Sequence, residues 1–364
     1  MIPMKSALTN LGIAITASLI MLSIGELVVR AIYANQIVLF PRYHTDAQYG
    51  EFTLRRMRPN SEFVHRSVDG SWRFTINNNG LRNFTDYPYE KPPGTLRILS
   101  IGDSNTLGFE VRQEYTFSSI IGRHLSRDGS KVEVINAGVS GFSTAEEVVY
   151  LENEGIKYKP DIVVLGFFKN DIEDNIKAGI FSLNDERLIT EKKVHIPGVK
   201  IQDLIYSVPG VKWLSEHSYF YSLLFNKTWD FFKNRLAKST AENLTEYAIA
   251  RQMKYSDYQL ELASSLLERM YRFCERNNIK LIIIDIPTAN EDRTIGSSFP
   301  TNLADSARKY SHLYIDSPAL LSEHSGVSEL HVPNGQRHIS ELTHSIIGVE
   351  TAKSIATLVS KREN

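Results

Sequence analysis

Cysteine is almost absent: Cys274 is the single thiol in 364 residues. That excludes an intrachain disulfide framework and a zinc site built from thiolates. Neither sign of charge is in excess. Lys and Arg number 41 against 42 Asp and Glu, for a net charge of -1. Nothing in that balance draws the chain to a phosphate backbone, so no nucleic-acid partner is expected. No G-x-G-x-x-G follows an apolar run, which argues against a dinucleotide cofactor. His312, His324, His331, His338 and His344 crowd the last part of the chain without an H-E-x-x-H spacing. His338 and His344 would face different sides of a helix, so neither a metal nor a cofactor is expected. Internal repeats and low-complexity tracts are also missing. The remainder, 42% hydrophobic and 23% charged with 21 Gly and 13 Pro, is that of a globular chain. Its length suits two domains, or one large domain with additions.

The first feature present is an apolar segment. Leu8 to Ile24 carries no charge, Lys5 precedes it, and Glu26 and Arg30 follow at helical pairing distance. The run approaches the roughly 20 residues that span a bilayer. No convincing small-x-small cleavage site precedes Asn35, and the segment has no clear polar face. Residues 1–35 are therefore expected to be an uncleaved membrane anchor rather than a signal peptide or a buried amphipathic helix. Lys5 on one side and Arg30, Arg42, Arg55 and Arg56 on the other do not fix its orientation.

Residues 36–95 are polar and turn-rich, with turn signals at Asn77-Asn78-Asn79-Gly80 and Lys91-Pro92-Pro93-Gly94. They read as a juxtamembrane segment packing on the domain that follows. From Leu96 the pattern becomes alternating strands and helices. "LRILSIGDS", "VEVINAG", "PDIVVLGFF", "KLIIIDIP" and "LYID" read as five buried strands. Helices are expected at Tyr115–Leu125, after a capping box of Ser143 or Thr144 with Glu146 or Glu147, at Tyr258–Cys274, and at Glu341–Ser360. Near-continuous apolar strands in βα succession predict a parallel sheet covered on both faces. One block departs from this pattern. Residues 173–250 exceed any ordinary connection. They contain Trp213, Phe220, Tyr221, Leu224, Phe225, Trp229, Phe231 and Phe232, which suggests a helical cap on the sheet or a substrate-binding lid.

Reactive groups in open parallel sheets gather at the carboxyl ends of strands. Those ends supply Ser104, then Gly138 and Gly141, then Asn170 with Asp171. A hydroxyl nucleophile, candidate N–H and amide donors and a late histidine are the parts of acyl transfer. Asp285, ending the fourth strand, reads as a residue that satisfies local backbone groups.

"GDSNTLG", "NAGVSG", "ND" after an apolar strand and a histidine ahead of the last helix resemble the four blocks of the SGNH/GDSL hydrolase superfamily. The match covers roughly 96–172 and 253–360. The segments "GELVVR" and "NNNGLRN" resemble membrane-tethered bacterial members. The resemblance implies a three-layer α/β/α domain at 96–364 with a central parallel, flavodoxin-like sheet and a cap or insertion at about 173–250. It implies Ser104 as nucleophile, His338 as base, and the Ser104 N–H, Gly141 N–H and Asn170 side chain as the oxyanion hole. Asp103 would brace the turn. Two positions depart from the family pattern. Phe168 stands where the third block has glycine. Gly335 stands where the last block has the acid, three residues before the histidine. Glu329, Asp316 or Asn334 would then orient His338, or Ser104 and His338 would act as a dyad. His331 is a rival base, with Ser328 three residues before it.

The implied activity is removal of acyl or acetyl groups from an envelope carbohydrate or lipid, on the outer (periplasmic) face of a cytoplasmic membrane. Two alternatives stay open: an O-acyltransferase using the same residues, and an inactive SGNH-fold binding protein.

Overall fold

The computed structural model describes residues 4–39, 44–127, 129–184, 187–190, 204–228, 231, 255–290, 294–326, 328–334 and 338–360. The chain opens with helix α1 (Met4–Tyr33). Two antiparallel hairpins follow: β1 (His44–Tyr49) with β2 (Phe52–Met57), and β3 (Ser61–Ser67) with β4 (Gly70–Ile76). Segment 36–95 is thus more ordered than its turn-rich composition suggests. The apolar residues of these short strands make no run, and in β4 Trp72, Phe74 and Ile76 come at every second position. Phe63, Trp72, Phe74 and Ile76 close on Met57 and on Leu107 of the next domain.

The α/β unit contains β5 (Leu96–Gly102), the short helix α2 (Ser104–Leu107), α3 (Phe117–Leu125), β6 (Val132–Asn136), α4 (Thr144–Asn153), β7 (Ile162–Phe167) and α5 (Asn170–Ala178). After them come the hairpin β8 (Phe181–Asn184) and β9 (Arg187–Thr190), then α6 (Val211–His217), α7 (Asp257–Arg276), β10 (Lys280–Asp285), α8 (Thr301–Lys309), β11 (Leu313–Ile315), α9 (Ser317–Leu321) and α10 (Glu341–Ser360). The five expected strands form one parallel sheet in the order β11-β10-β7-β5-β6. Leu99, Ile101, Val163, Leu165, Leu281 and Ile283 face α4, α7 and α8. The alternate residues Ile98, Ile162, Val164, Ile282 and Ile284 face α3 and α10. That is the expected three-layer α/β/α arrangement. The chain runs from β5 to β6 on one side and then crosses to β7 on the other, which opens a crevice at the carboxyl ends of β5 and β7.

Several local expectations are met. Ser143 and Glu146 form the capping box of α4. Asn77 Oδ1 accepts from the Asn79 and Leu81 N–H groups at 3.0 Å each, closing the Asn-rich turn. Asp285 accepts from Ser298 N at 2.8 Å and from the Tyr314 hydroxyl at 2.9 Å. Buried Arg97 donates to Tyr158 O at 2.7 Å and Pro88 O at 3.0 Å, tying the linker before β5 to the sheet.

The structure describes the aromatic block only in part. Its described part at 204–228 packs on the end of α1 and on β3. The Glu26 carboxylate accepts from Ser218 Oγ at 2.7 Å and Phe220 N at 3.0 Å. Arg30 donates to Glu26 at 2.9 Å and to His217 O at 3.0 Å. Phe220 closes on Gly25, and Lys212 donates to Glu62 O at 2.5 Å. Trp213 is 61% exposed, while Trp229 and Phe232 lie outside the described residues. This described part joins the apolar helix to the juxtamembrane hairpin. Its composition marked it as packed without showing against what.

Candidate functional site

The nucleophile turn is built by close backbone approach. β5 ends at Gly102, where a Cβ would stand 2.9 Å from Gly166 O and closer to Thr106. Asp103 caps α2, its Oδ1 accepting from Asn105 N at 2.7 Å. Ser104 thus takes the first helical position, whose N–H has no intrahelical partner. Opposite, Gly138 lies directly against α2: a Cβ there would meet Thr106 C at 2.7 Å and Leu107 Cα at 2.9 Å. Asn136 clamps this contact, donating to Thr106 O at 2.9 Å and accepting from Gly138 N at 3.1 Å.

His338 comes from far along the chain and meets Ser104 directly, Nε2 to Oγ at 2.9 Å. A short antiparallel bridge fixes it, with Val332 N donating to His338 O at 2.8 Å and His331 pairing with Ile339. Burial pulls its pKa down to about 4, the nearby Glu110 carboxylate opposing and His65 and His331 assisting. The imidazole is therefore neutral at pH 7, which a proton acceptor requires. For Nε2 to accept from Ser104, the ring must carry its proton on Nδ1.

The acids considered for orienting His338 are placed elsewhere. Asp316 caps α9 through Ala319 N at 3.1 Å and pairs with Arg308 at 3.3 Å. Glu329 is exposed, Asn334 donates to Asp69 at 2.8 Å, and Gly335 lies outside the described residues. The carboxylate facing His338 Nδ1 is Glu110, at 4.0 Å. It follows the nucleophile by six positions and is nearly fully buried. Sequence reasoning passed over it because it lies in no strand or helix and in no expected block. The available signal was a charged residue between Phe109 and Val111 just past the nucleophile turn. The rival base His331 bonds to Pro287 O at 3.0 Å. His344 accepts from Phe117 N at 3.0 Å, and His312 from Leu281 N at 3.0 Å. Among the described residues no group of three or more His, Cys, Asp or Glu side chains is arranged to hold a metal.

Gly141 and Asn170 lie past the ends of β6 and β7, flanking β5. Gly141 has φ +75, and its carbonyl accepts from Arg55 of β2. Asn170 Nδ2 donates one hydrogen to Asp174 at 2.8 Å. An amide nitrogen carries two, so one donor remains. Behind the turn lie three buried carboxyls. Burial pushes Asp103 up to about 6; burial and mutual repulsion hold Glu147 and Asp171 well above the usual carboxylate range. The upward shifts of Glu147 and Asp171 favour their neutral forms, which lessens the negative charge behind a site where an oxyanion would develop.

No protein-family model matches the chain, and no curated protein does. Solved structures similar to it include the lipase/acylhydrolase from Enterococcus faecalis, at 18% identity and TM-score 0.40, over 71% of this chain and 94% of that one. An acetylxylan esterase from Geobacillus stearothermophilus is similar at 15% identity and TM-score 0.39, over 71% and 92%. A two-domain esterase active on acetylated mannans is similar at 12% identity and TM-score 0.40, over 73% of this chain and 49% of that one. Likeness of this degree assigns no substrate and no residue role to this chain.

Proposed function

We propose that this chain is a serine ester hydrolase of the SGNH type, acting on an acylated carbohydrate or lipid. The observation that carries the reading is the 2.9 Å contact between Ser104 Oγ and a buried, neutral His338. Ser104 Oγ attacks the ester carbonyl carbon while His338 Nε2 takes the hydroxyl proton. The carbonyl electron pair moves to oxygen, which the Ser104 N–H, the Gly141 N–H and the second Asn170 amide hydrogen stabilise. The tetrahedral adduct collapses, His338 returns its proton to the departing alkoxide, and an acyl-Ser104 remains. Water, deprotonated by His338, then attacks the acyl carbon; the bond to Ser104 Oγ breaks, His338 returns the proton to that oxygen, and the acid leaves. Helix α1, apolar and solvent-facing from Leu8 to Ile24, supports attachment to a membrane; a periplasmic catalytic unit rests on the resemblance to membrane-tethered members alone.

The test is hydrolysis of p-nitrophenyl acetate and longer acyl esters by the full chain in detergent, beside Ser104→Ala and His338→Ala. Both variants lose turnover, Ser104→Ala loses labelling by a fluorophosphonate, and kcat/KM of the parent rises with pH through about 4 as His338 loses its proton. No turnover and no labelling would sink the enzyme reading in favour of a binding protein. Labelling with release of the acyl group only to an added sugar hydroxyl would establish the transferase.

A further inference from the structure

We propose that Glu110 and His65 are positioning residues for His338, forming a relay Ser104–His338–Glu110–His65 whose last member comes from the juxtamembrane hairpin. The inference rests on the hydrolase reading and adds to it the acid that the last block lacks.

The geometry is specific. Gly108 ends α2 in a left-handed turn, and Glu110 follows at φ +59, a conformation a non-glycine residue rarely holds without cause. Arg82 fixes the flanks by donating to the carbonyls of Leu107, Gly108 and Val111. The Glu110 carboxylate therefore has little freedom to turn elsewhere. Its Oε1 lies 3.3 Å from His65 Nε2, and its Oε2 lies 4.0 Å from His338 Nδ1. The second distance is long for a hydrogen bond, but catalytic contacts often tighten only with substrate bound. Neither Glu110 Oε2 nor His338 Nδ1 has a partner at hydrogen-bond distance among the described residues, though the Ser67 hydroxyl also acts on the carboxylate.

The surroundings make the contact count. The Phe109 ring lies between the two imidazoles, 4.4 Å from His65 and 4.7 Å from His338, and Trp72 covers His65 at 5.5 Å. A carboxylate shut in by rings is costly unless hydrogen-bonded. Burial alone would raise its pKa. Hydrogen bonds from His65 and Ser67 and the nearness of His338 outweigh that, leaving Glu110 below the usual range and ionised. Burial lowers the pKa of His65; since an ionised carboxylate only accepts, His65 Nε2 must carry the proton and donate it to Glu110. The groups facing this pair are His331 and His344 beside His338, and Arg82 beside His65.

When His338 Nε2 takes the Ser104 proton, the new imidazolium lies against an existing anion. Glu110 keeps the Nδ1–H tautomer and lowers the energy of that charged state, without itself taking the proton. His65 holds the other carboxylate oxygen so that Oε2 points at the ring. Part of the machinery that positions His338 thus lies upstream of residue 96, in the hairpin that pairs with Leu39 just beyond α1.

The test uses the full chain in detergent, with kcat and KM read separately from pH 3 to 9 and the His338 titration followed by NMR of carbon-13-labelled histidine. Glu110→Gln lowers kcat about 10²–10⁴-fold with KM little changed. It also moves the His338 titration to lower pH by about one unit, since the imidazolium has lost its counter-charge. Glu110→Asp, shorter but charged, keeps the titration near the parent's and regains at least about tenfold over Gln. His65→Ala lowers kcat about tenfold, and His65→Gln, which restores an N–H at the Nε2 position, recovers most of it. Glu110→Gln with kcat within threefold, or Gln and Asp variants equally impaired with the His338 titration unmoved, would overturn the relay. The titration needs no turnover. A chain inactive on every ester but with His338 shifted by Glu110→Gln would therefore refute the hydrolase reading and leave the relay standing.

Discussion

Replacing Gly138 by alanine tests how tightly the nucleophile turn is clamped. The new Cβ would stand 2.7 Å from the Thr106 carbonyl carbon, 2.9 Å from Leu107 Cα and closer still to Leu107 N, all backbone atoms with no rotamer to change. Carbon atoms rest at about 3.5–4.0 Å, so α2 must move away by about 1 Å. Asn136 resists, because its bonds to Thr106 O and Gly138 N hold the two segments together. Ser104 starts the same four-residue helix, so its 2.9 Å contact with His338 stretches toward a distance with no hydrogen bond. A misplacement of about 1 Å costs about 10²-fold in rate. Overpacking of a tight site costs about 1–3 kcal/mol, a fall of about 2–5 °C in Tm for a domain of this size. The assay is kcat/KM on p-nitrophenyl acetate beside thermal unfolding followed by circular dichroism. Activity within threefold of the parent and Tm within one degree would refute the claim that Gly138 sets the position of Ser104.

Two further substitutions probe the buried charges around the site. Glu147→Gln removes a carboxyl whose oxygens have no hydrogen-bond partner among the described residues and whose pKa burial raises; a group raised in the folded state stabilises at low pH and loses that contribution as pH rises. The variant should therefore lose less Tm than the parent between pH 5 and pH 9, and an identical pH profile of Tm would refute this. Arg82→Met strands three carbonyls and loses the stacking of the guanidinium on Phe74 at 3.8 Å, while sparing the cost of burying a charge. The net loss expected is about 2–4 kcal/mol, read as a lower urea midpoint, with kcat falling as the segment carrying Glu110 loosens.

Much of this molecule is local enough to be legible in the sequence. The five apolar strands, the Ser143–Glu146 capping box and the Asn77 turn depend on residues a few positions apart, and hydrophobic periodicity reports them directly. Ser104, Gly141 and Asn170 were candidates because strand ends are readable and a parallel sheet brings them to one edge. His338 was reached through the pattern of the last block. The hairpins at 44–76 are obscured because their strands carry few apolar residues at uneven spacing, diluted by Arg55, Arg56 and Arg66. What tertiary structure alone decided is the company these residues keep. Glu110 faces His338 across 228 positions of chain, and His65 reaches Glu110 from a hairpin outside the α/β unit. Asp316 was drawn instead to its own helix and Arg308. Which carboxylate meets an imidazole depends on long-range packing and on the cost of burying charge, and neither leaves a period or spacing in the sequence.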